Sequence, residues 1–102
     1  MIVYEVRAVV APDAAGAYRA WLEPHIREIL AIPGFTRAEL LAEDDDAGKA
    51  VMTVRYHLES RAALECYLRE HAPRLRADGL ARFGGKFETS RRVLELVRRV
   101  PD

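Results

Sequence analysis

Cysteine is almost missing from this chain: Cys66 is the only one in 102 residues. A lone thiol makes no intrachain disulfide and no cysteine-rich zinc site. It points to a reducing cytoplasm. No apolar run approaches the roughly 18 residues that a membrane span needs. The opening Met1-Ile2-Val3-Tyr4-Glu5 has no basic segment, so no signal peptide is expected. Histidines and cysteines show neither His-x-x-x-His nor Cys-x-x-Cys spacing, and no Gly-x-Ser-x-Gly elbow occurs. Gly84-Gly85-Lys86 lacks the spacing and the trailing Ser/Thr of a phosphate loop. No metal and no cofactor are therefore expected, and no motif names a reaction.

What is present describes one domain spanning residues 1–102. Half the residues are hydrophobic and 31% are charged, which excludes a wholly disordered chain. Net charge is zero, but residues 1–50 carry −4 and residues 51–102 carry +4. That is too mild a basic half for a dedicated nucleic-acid binder.

Ile2 to Val10 reads as a strand that ends at Ala11-Pro12. Asp13 is a plausible N-cap for a helix to about Leu30, with Tyr18, Leu22, Ile26, Ile29 and Leu30 as its apolar stripe. Pro24 falls inside it, on the solvent side, and is expected to kink or restart the helix. Pro33-Gly34 marks a turn. Phe35–Ala42 and Ala50–Leu58 make a hairpin across the acidic turn Glu43-Asp44-Asp45-Asp46-Ala47-Gly48-Lys49. Ser60 caps a second helix to about His71, and Pro73 opens a further piece to about Arg82. Lys86 to Val100 reads as a long final strand. The order β-α-β-β-α-β is the α+β, ferredoxin-like arrangement: a four-stranded antiparallel sheet with helices on one face. Right-handed crossovers place the first and third strands at its centre.

Helices on one face leave the other bare. Tyr4, Val6, Ala8, Met52, Val54, Tyr56 and Leu58 turn to the helices. Val3, Glu5, Arg7, Val9, Val51, Thr53, Arg55 and His57 turn away. That second set is too apolar for a monomer surface and too charged for a dry core. A face-to-face homodimer, with Glu–Arg pairs across strands, accommodates both. RNA-recognition modules share this order but display aromatics on the bare face, whereas Tyr4 and Tyr56 turn inward here. Neither a nucleic-acid partner nor a membrane is expected.

The Ile2 strand start, the Pro33-Gly34-Phe35 turn and the run His71-Ala72-Pro73-Arg74-Leu75-Arg76-Ala77-Asp78-Gly79-Leu80 carry a family resemblance. Over nearly its whole length the chain resembles an uncharacterised bacterial family of the dimeric α+β barrel superfamily. The resemblance implies a homodimer whose two sheets form a barrel, and a small-molecule pocket between helices and sheet. Members of the wider superfamily include cofactor-independent monooxygenases, isomerases, haem proteins and ligand-sensing domains. Fold alone does not choose among them, and no catalytic residue is carried over.

His25 and His71 lie on the inward stripes of their helices, beside Trp21 and Tyr67. These four residues are the candidate ligand-binding set, with Tyr4 and Tyr56 beneath and arginines available from the sheet or the final strand. Histidine there could serve as a general base near neutral pH. The same residues also fit two partly buried histidines that bond backbone carbonyls freed near Pro24 and Pro73. Two functions stay open: a small-molecule-binding barrel protein, monooxygenase- or isomerase-like if it is an enzyme, and a non-catalytic structural or regulatory homodimer with no native ligand.

Overall fold

Alternation of valine with charge decides the first strand. In the computed structural model, which describes residues 1–44 and 48–102, β1 (Ile2–Val10) lies between two antiparallel neighbours. Its helix-facing residues pair directly with their counterparts on β3 (Ala50–Leu58): Tyr4 with Tyr56, Val6 with Val54, Ala8 with Met52. The other face pairs Glu5 with Arg55 and Val9 with Val51. β2 (Phe35–Asp44) flanks β3, and β4 (Phe87–Glu95) flanks β1. The sheet order is β2-β3-β1-β4, with the first and third strands central as expected.

Three helices cover one face. α1 (Ala15–Leu30) buries Tyr18, Leu22, Ile26 and Ile29 and runs unbroken through the exposed Pro24. α2 (Arg61–Glu70) starts at Ser60, whose hydroxyl accepts the Ala63 N–H at 3.1 Å. That bond satisfies one of the donors every helix start leaves open. α3 (Ala72–Phe83) follows at once, with Pro73 in its first turn, and buries Ala72, Leu75 and Gly79. Ile29, Leu58, Leu75 and Val10 are sealed from solvent at the centre. Burial of each such side chain contributes about 1.5–3 kcal/mol.

Gly34 is required where it stands. Its φ is +95°, and a Cβ there would collide with the Ala63 side chain. Its carbonyl also accepts the Glu59 N–H at 2.9 Å, which ties the α1–β2 turn to the end of β3.

The structure corrects four expectations. Asp13 does not cap α1; a 3-10 turn (Pro12–Ala14) precedes the helix, and the Asp13 carboxylate instead holds Lys86 Nζ at 2.7 Å. Pro24 does not restart α1, which runs as one helix from Ala15 to Leu30 around it. β2 continues to Asp44, two residues past Ala42, because β3 offers pairing partners as far as Ala50. β4 covers Phe87–Glu95 and not Lys86–Val100. Its last rung is Ile2 opposite Glu95, and Leu96 N–H to Met1 C=O at 2.9 Å is the final bond. Past that bond the strand is unpaired, and Val97 and Val100 stand exposed. Within the expected acidic turn, residues 45–47 lie outside the described residues.

Candidate functional site

The helix-facing sides of β1, β3 and β4 and the undersides of α1 and α3 enclose a cavity of about 180 Å³. Its floor is apolar, with Val6, Val54 and Met52 from the central strands. Its wall is aromatic. Tyr4 lies 6.2 Å from Tyr56 and 5.9 Å from Tyr67, ring centre to ring centre. Tyr18 packs against Trp21 at 5.6 Å and Phe87 at 5.3 Å. Such tilted and edge-on pairs are the favoured aromatic geometries.

Phenol groups bring polarity into this apolar space. Tyr18, Tyr56 and Tyr67 are each more than nine-tenths buried and line the cavity. Among the described residues the hydroxyls of Tyr56 and Tyr67 have no hydrogen-bond partner. Burial raises the pKa of all three; Tyr67 is pushed up to about 12, and its neighbour Tyr4 adds to the effect. All three are therefore neutral donors at physiological pH. Tyr4 differs: its hydroxyl is held by Arg76 Nη2 at 3.0 Å.

The rim is basic and partly apolar. Arg76 comes from α3 and Arg91 from β4, where register sets it opposite Val6 on the helix-facing side. Arg91 Nη1 bonds the Thr89 hydroxyl at 3.1 Å, and its charge acts on Tyr18, Tyr56 and Tyr67 together. Leu80, 60% exposed, stands at the mouth.

Trp21 and His25 share one stripe of α1, and their rings stack at 4.3 Å. Asp78 on α3 accepts Trp21 Nε1–H at 3.3 Å and Arg82 Nε–H at 3.1 Å. Arg82 chiefly holds the Asp78 carboxyl below its usual range, and Trp21 assists. Burial depresses the His25 pKa, so the imidazole is neutral at physiological pH. Its Nδ1 is sealed off without a partner, which leaves Nε2 as the ring nitrogen able to act on a ligand.

Of the four expected binding residues, the fold brings Trp21, His25 and Tyr67 to the cavity. His71 is not among its lining residues. It lies in the α2–α3 junction, its N–H bonding the Tyr67 carbonyl at 2.9 Å and its ring stacked on Tyr67 at 6.5 Å. Sequence reasoning did not name Arg76, Arg91 or Tyr18 as binding residues. The register of β4 was the available signal for Arg91, and an overlong β4 obscured it. Among the described residues no group of three or more His, Cys, Asp or Glu side chains could hold a metal.

The opposite sheet face carries a second polar cluster. The Glu5 carboxylate, almost buried, accepts Arg92 Nε–H at 2.7 Å and Arg55 Nε–H at 2.9 Å. His57 Nε2 lies 2.7 Å from Glu39 Oε1 on the same face. A shallow depression between Glu5, Thr53, Arg55, Arg92 and Leu41 follows from this arrangement.

Residues 1–97 match the profile of a family described as a domain of unknown function, DUF4286. No curated protein matches the chain. Among solved structures, the fold is shared with a variant of SnoaB, a cofactor-independent oxygenase from Streptomyces nogalater. The identity is 17% and the TM-score 0.71, over 99% of this chain and 98% of that one. An antibiotic biosynthesis monooxygenase is similar at 18% identity and TM-score 0.69, covering 96% of this chain and all of the other. A variant of MhuD with two manganese protoporphyrin IX bound per active site is similar at 20% identity and TM-score 0.69, over 98% and 99% of the two chains. At these identities the likeness shows the fold alone: α+β and ferredoxin-like, with a four-stranded antiparallel sheet. No helix among the described residues is long and apolar enough to cross a membrane.

Proposed function

The chain belongs to the DUF4286 family, and from that premise we propose that it is a small-molecule-binding homodimer with one ligand cavity per protomer. The observation that carries this reading is the aromatic cavity itself, lined by Tyr56 and Tyr67, whose hydroxyls bond no protein group among the described residues. These hydroxyls are free to donate to a ligand that accepts hydrogen bonds. Trp21, His25 and Tyr67 are the binding residues of this reading, and His71 supports Tyr67 from behind.

The dimer forms through the sheet face that no helix covers. The exposed Leu41 and Leu94, with half-buried Val9, supply burial there, and the Arg55–Glu5–Arg92 cluster supplies matched polarity. Neighbours named as oxygenases and a porphyrin-bound protein support a ligand-binding use of the cavity. Cys66, exposed and unpaired, fits a reducing bacterial cytoplasm.

A catalytic version follows from His25. A neutral imidazole beside phenol donors can take a proton from an activated C–H or O–H of the bound molecule. The hydroxyls of Tyr56 and Tyr67 then stabilise the resulting anion. Proton transfer of this kind starts both isomerisation and cofactor-free oxygenation.

Native mass spectrometry on freshly purified protein tests the proposal. A dimer carrying extra mass is the expected result and identifies the ligand. A monomer overturns the reading of the sheet face, and L41D provides the control by separating the dimer. A dimer that neither retains nor accepts any small organic molecule favours the structural or regulatory alternative.

A further inference from the structure

We infer that Arg76 and Arg91 select the charge of the ligand: the cavity takes an organic anion with a flat apolar body, such as an aromatic carboxylate, sulfonate or phenolate. This rests on the reading of the cavity as a ligand site and adds the chemical class that the site admits.

The argument is geometric. Arg91 projects from β4 on the helix-facing side, opposite Val6 of the cavity floor. Arg76 projects from α3 across the same opening and is oriented by Tyr4 Oη at 3.0 Å. Among the described residues neither guanidinium has a carboxylate within 4 Å. Each is held by a neutral hydroxyl, Tyr4 for Arg76 and Thr89 for Arg91. By contrast Arg55 and Arg92 share Glu5, and Arg74 and Arg82 hold Glu28 and Asp78. The acidic group bonded to the cavity wall, Asp78, is already engaged by Arg82 and Trp21. Two positive forks thus share one opening with no protein anion between them.

The aromatic wall reinforces this polarity. The Tyr56 and Tyr67 hydroxyls are donors without acceptors inside the cavity. Phenol donors and guanidinium forks favour an oxyanion, while the aromatic walls favour a planar body. A cation would face two arginines and find no carboxylate. A neutral body of equal shape would gain the walls and forgo the forks.

Two dyes of nearly one shape separate these cases. 8-Anilinonaphthalene-1-sulfonate carries an anion, and N-phenyl-1-naphthylamine is its uncharged counterpart. Trp21 is the only tryptophan, so quenching of its emission by a bound dye reports proximity to the cavity. The expected result is that the sulfonate binds about tenfold or more tightly than the neutral dye, a ratio that corresponds to a charge-assisted bond. R91M and R76M each lower sulfonate affinity several-fold and leave the neutral dye unchanged, while R91K and R76K keep most of the preference and serve where the methionine variants fail to fold. Equal affinity for the two dyes, or equal loss of both in the variants, overturns the inference while the cavity reading stands. In the second outcome the arginines act only through their apolar stems. Failure of both dyes to quench Trp21 overturns the cavity reading itself, and this inference with it.

Discussion

The indole of Trp21 stacks on the imidazole of His25 at 4.3 Å, one helical turn apart on α1, and Asp78 of α3 fastens the indole from the other side. This places a neutral base against a rigid aromatic wall. It also ties two helices together over the cavity.

The pH dependence of stability should reveal His25. Its folded pKa lies below the ordinary 6.5 because burial disfavours the imidazolium. The unfolded chain therefore binds a proton that the folded chain resists. The His25 contribution is full above pH 6.5, declines as pH falls below that value, and levels off below the lowered folded pKa. Urea midpoints measured between pH 5 and 8 should show this decline. H25F keeps a stacking ring and should flatten it.

Glu5 gives a second test of the same sign at lower pH. Hydrogen bonds from Arg92 and then Arg55 hold its carboxyl below the usual 4.5. Its stabilisation is present above pH 4.5 and is lost as pH falls through the lowered folded value. E5Q at pH 7 should cost about 1.5–3 kcal/mol, the range for hydrogen bonds to charged groups. Chemical unfolding at pH 7 measures the cost, and sedimentation of the same variant should show a weakened dimer.

Tyr56 should matter for binding more than for stability. Its side chain lines the cavity and its hydroxyl bonds no protein group among the described residues. Y56F is expected to change the stability of the ligand-free protein by less than about 1 kcal/mol. It should lower affinity for 8-anilinonaphthalene-1-sulfonate. Thermal melts and dye titration of one preparation read both effects.

Gly79 sets the floor of α3 against Trp21. A Cβ there would lie 3.2 Å from Trp21 Cη2 and 3.7 Å from Phe87 Cζ. G79A is expected to be nearly neutral, since its gain in helix propensity of up to about 1 kcal/mol offsets the tight contact. G79V forces the indole to move and should cost about 1–3 kcal/mol by overpacking. Trp21 emission should shift in G79V and not in G79A.

Local pattern made much of the architecture legible. β1 and β3 have the expected ends because alternation and turn residues bound both. Ser60 caps α2 as its spacing suggests. The end of β4 was not legible, because strand length depends on where the partner β1 begins. Asp13 has the chemistry of a cap, yet Lys86, 73 residues away in sequence, claims it.

The candidate site divides in the same way. Periodicity put Trp21, His25 and Tyr67 on inward stripes, and the cavity contains all three. It put His71 there too, but the break between α2 and α3 rotates the following turn and leaves that ring outside. The sequence by itself determined element type, sheet order and the inward faces, because those follow from short-range periodicity and chirality. Tertiary structure alone decided that Arg76 and Arg91, fifteen residues apart, share one opening, and that Tyr56 and Tyr67 keep their hydroxyls unpaired inside it. The reason is physical: a cavity is what packing between elements leaves unfilled, and no single element's pattern records that space.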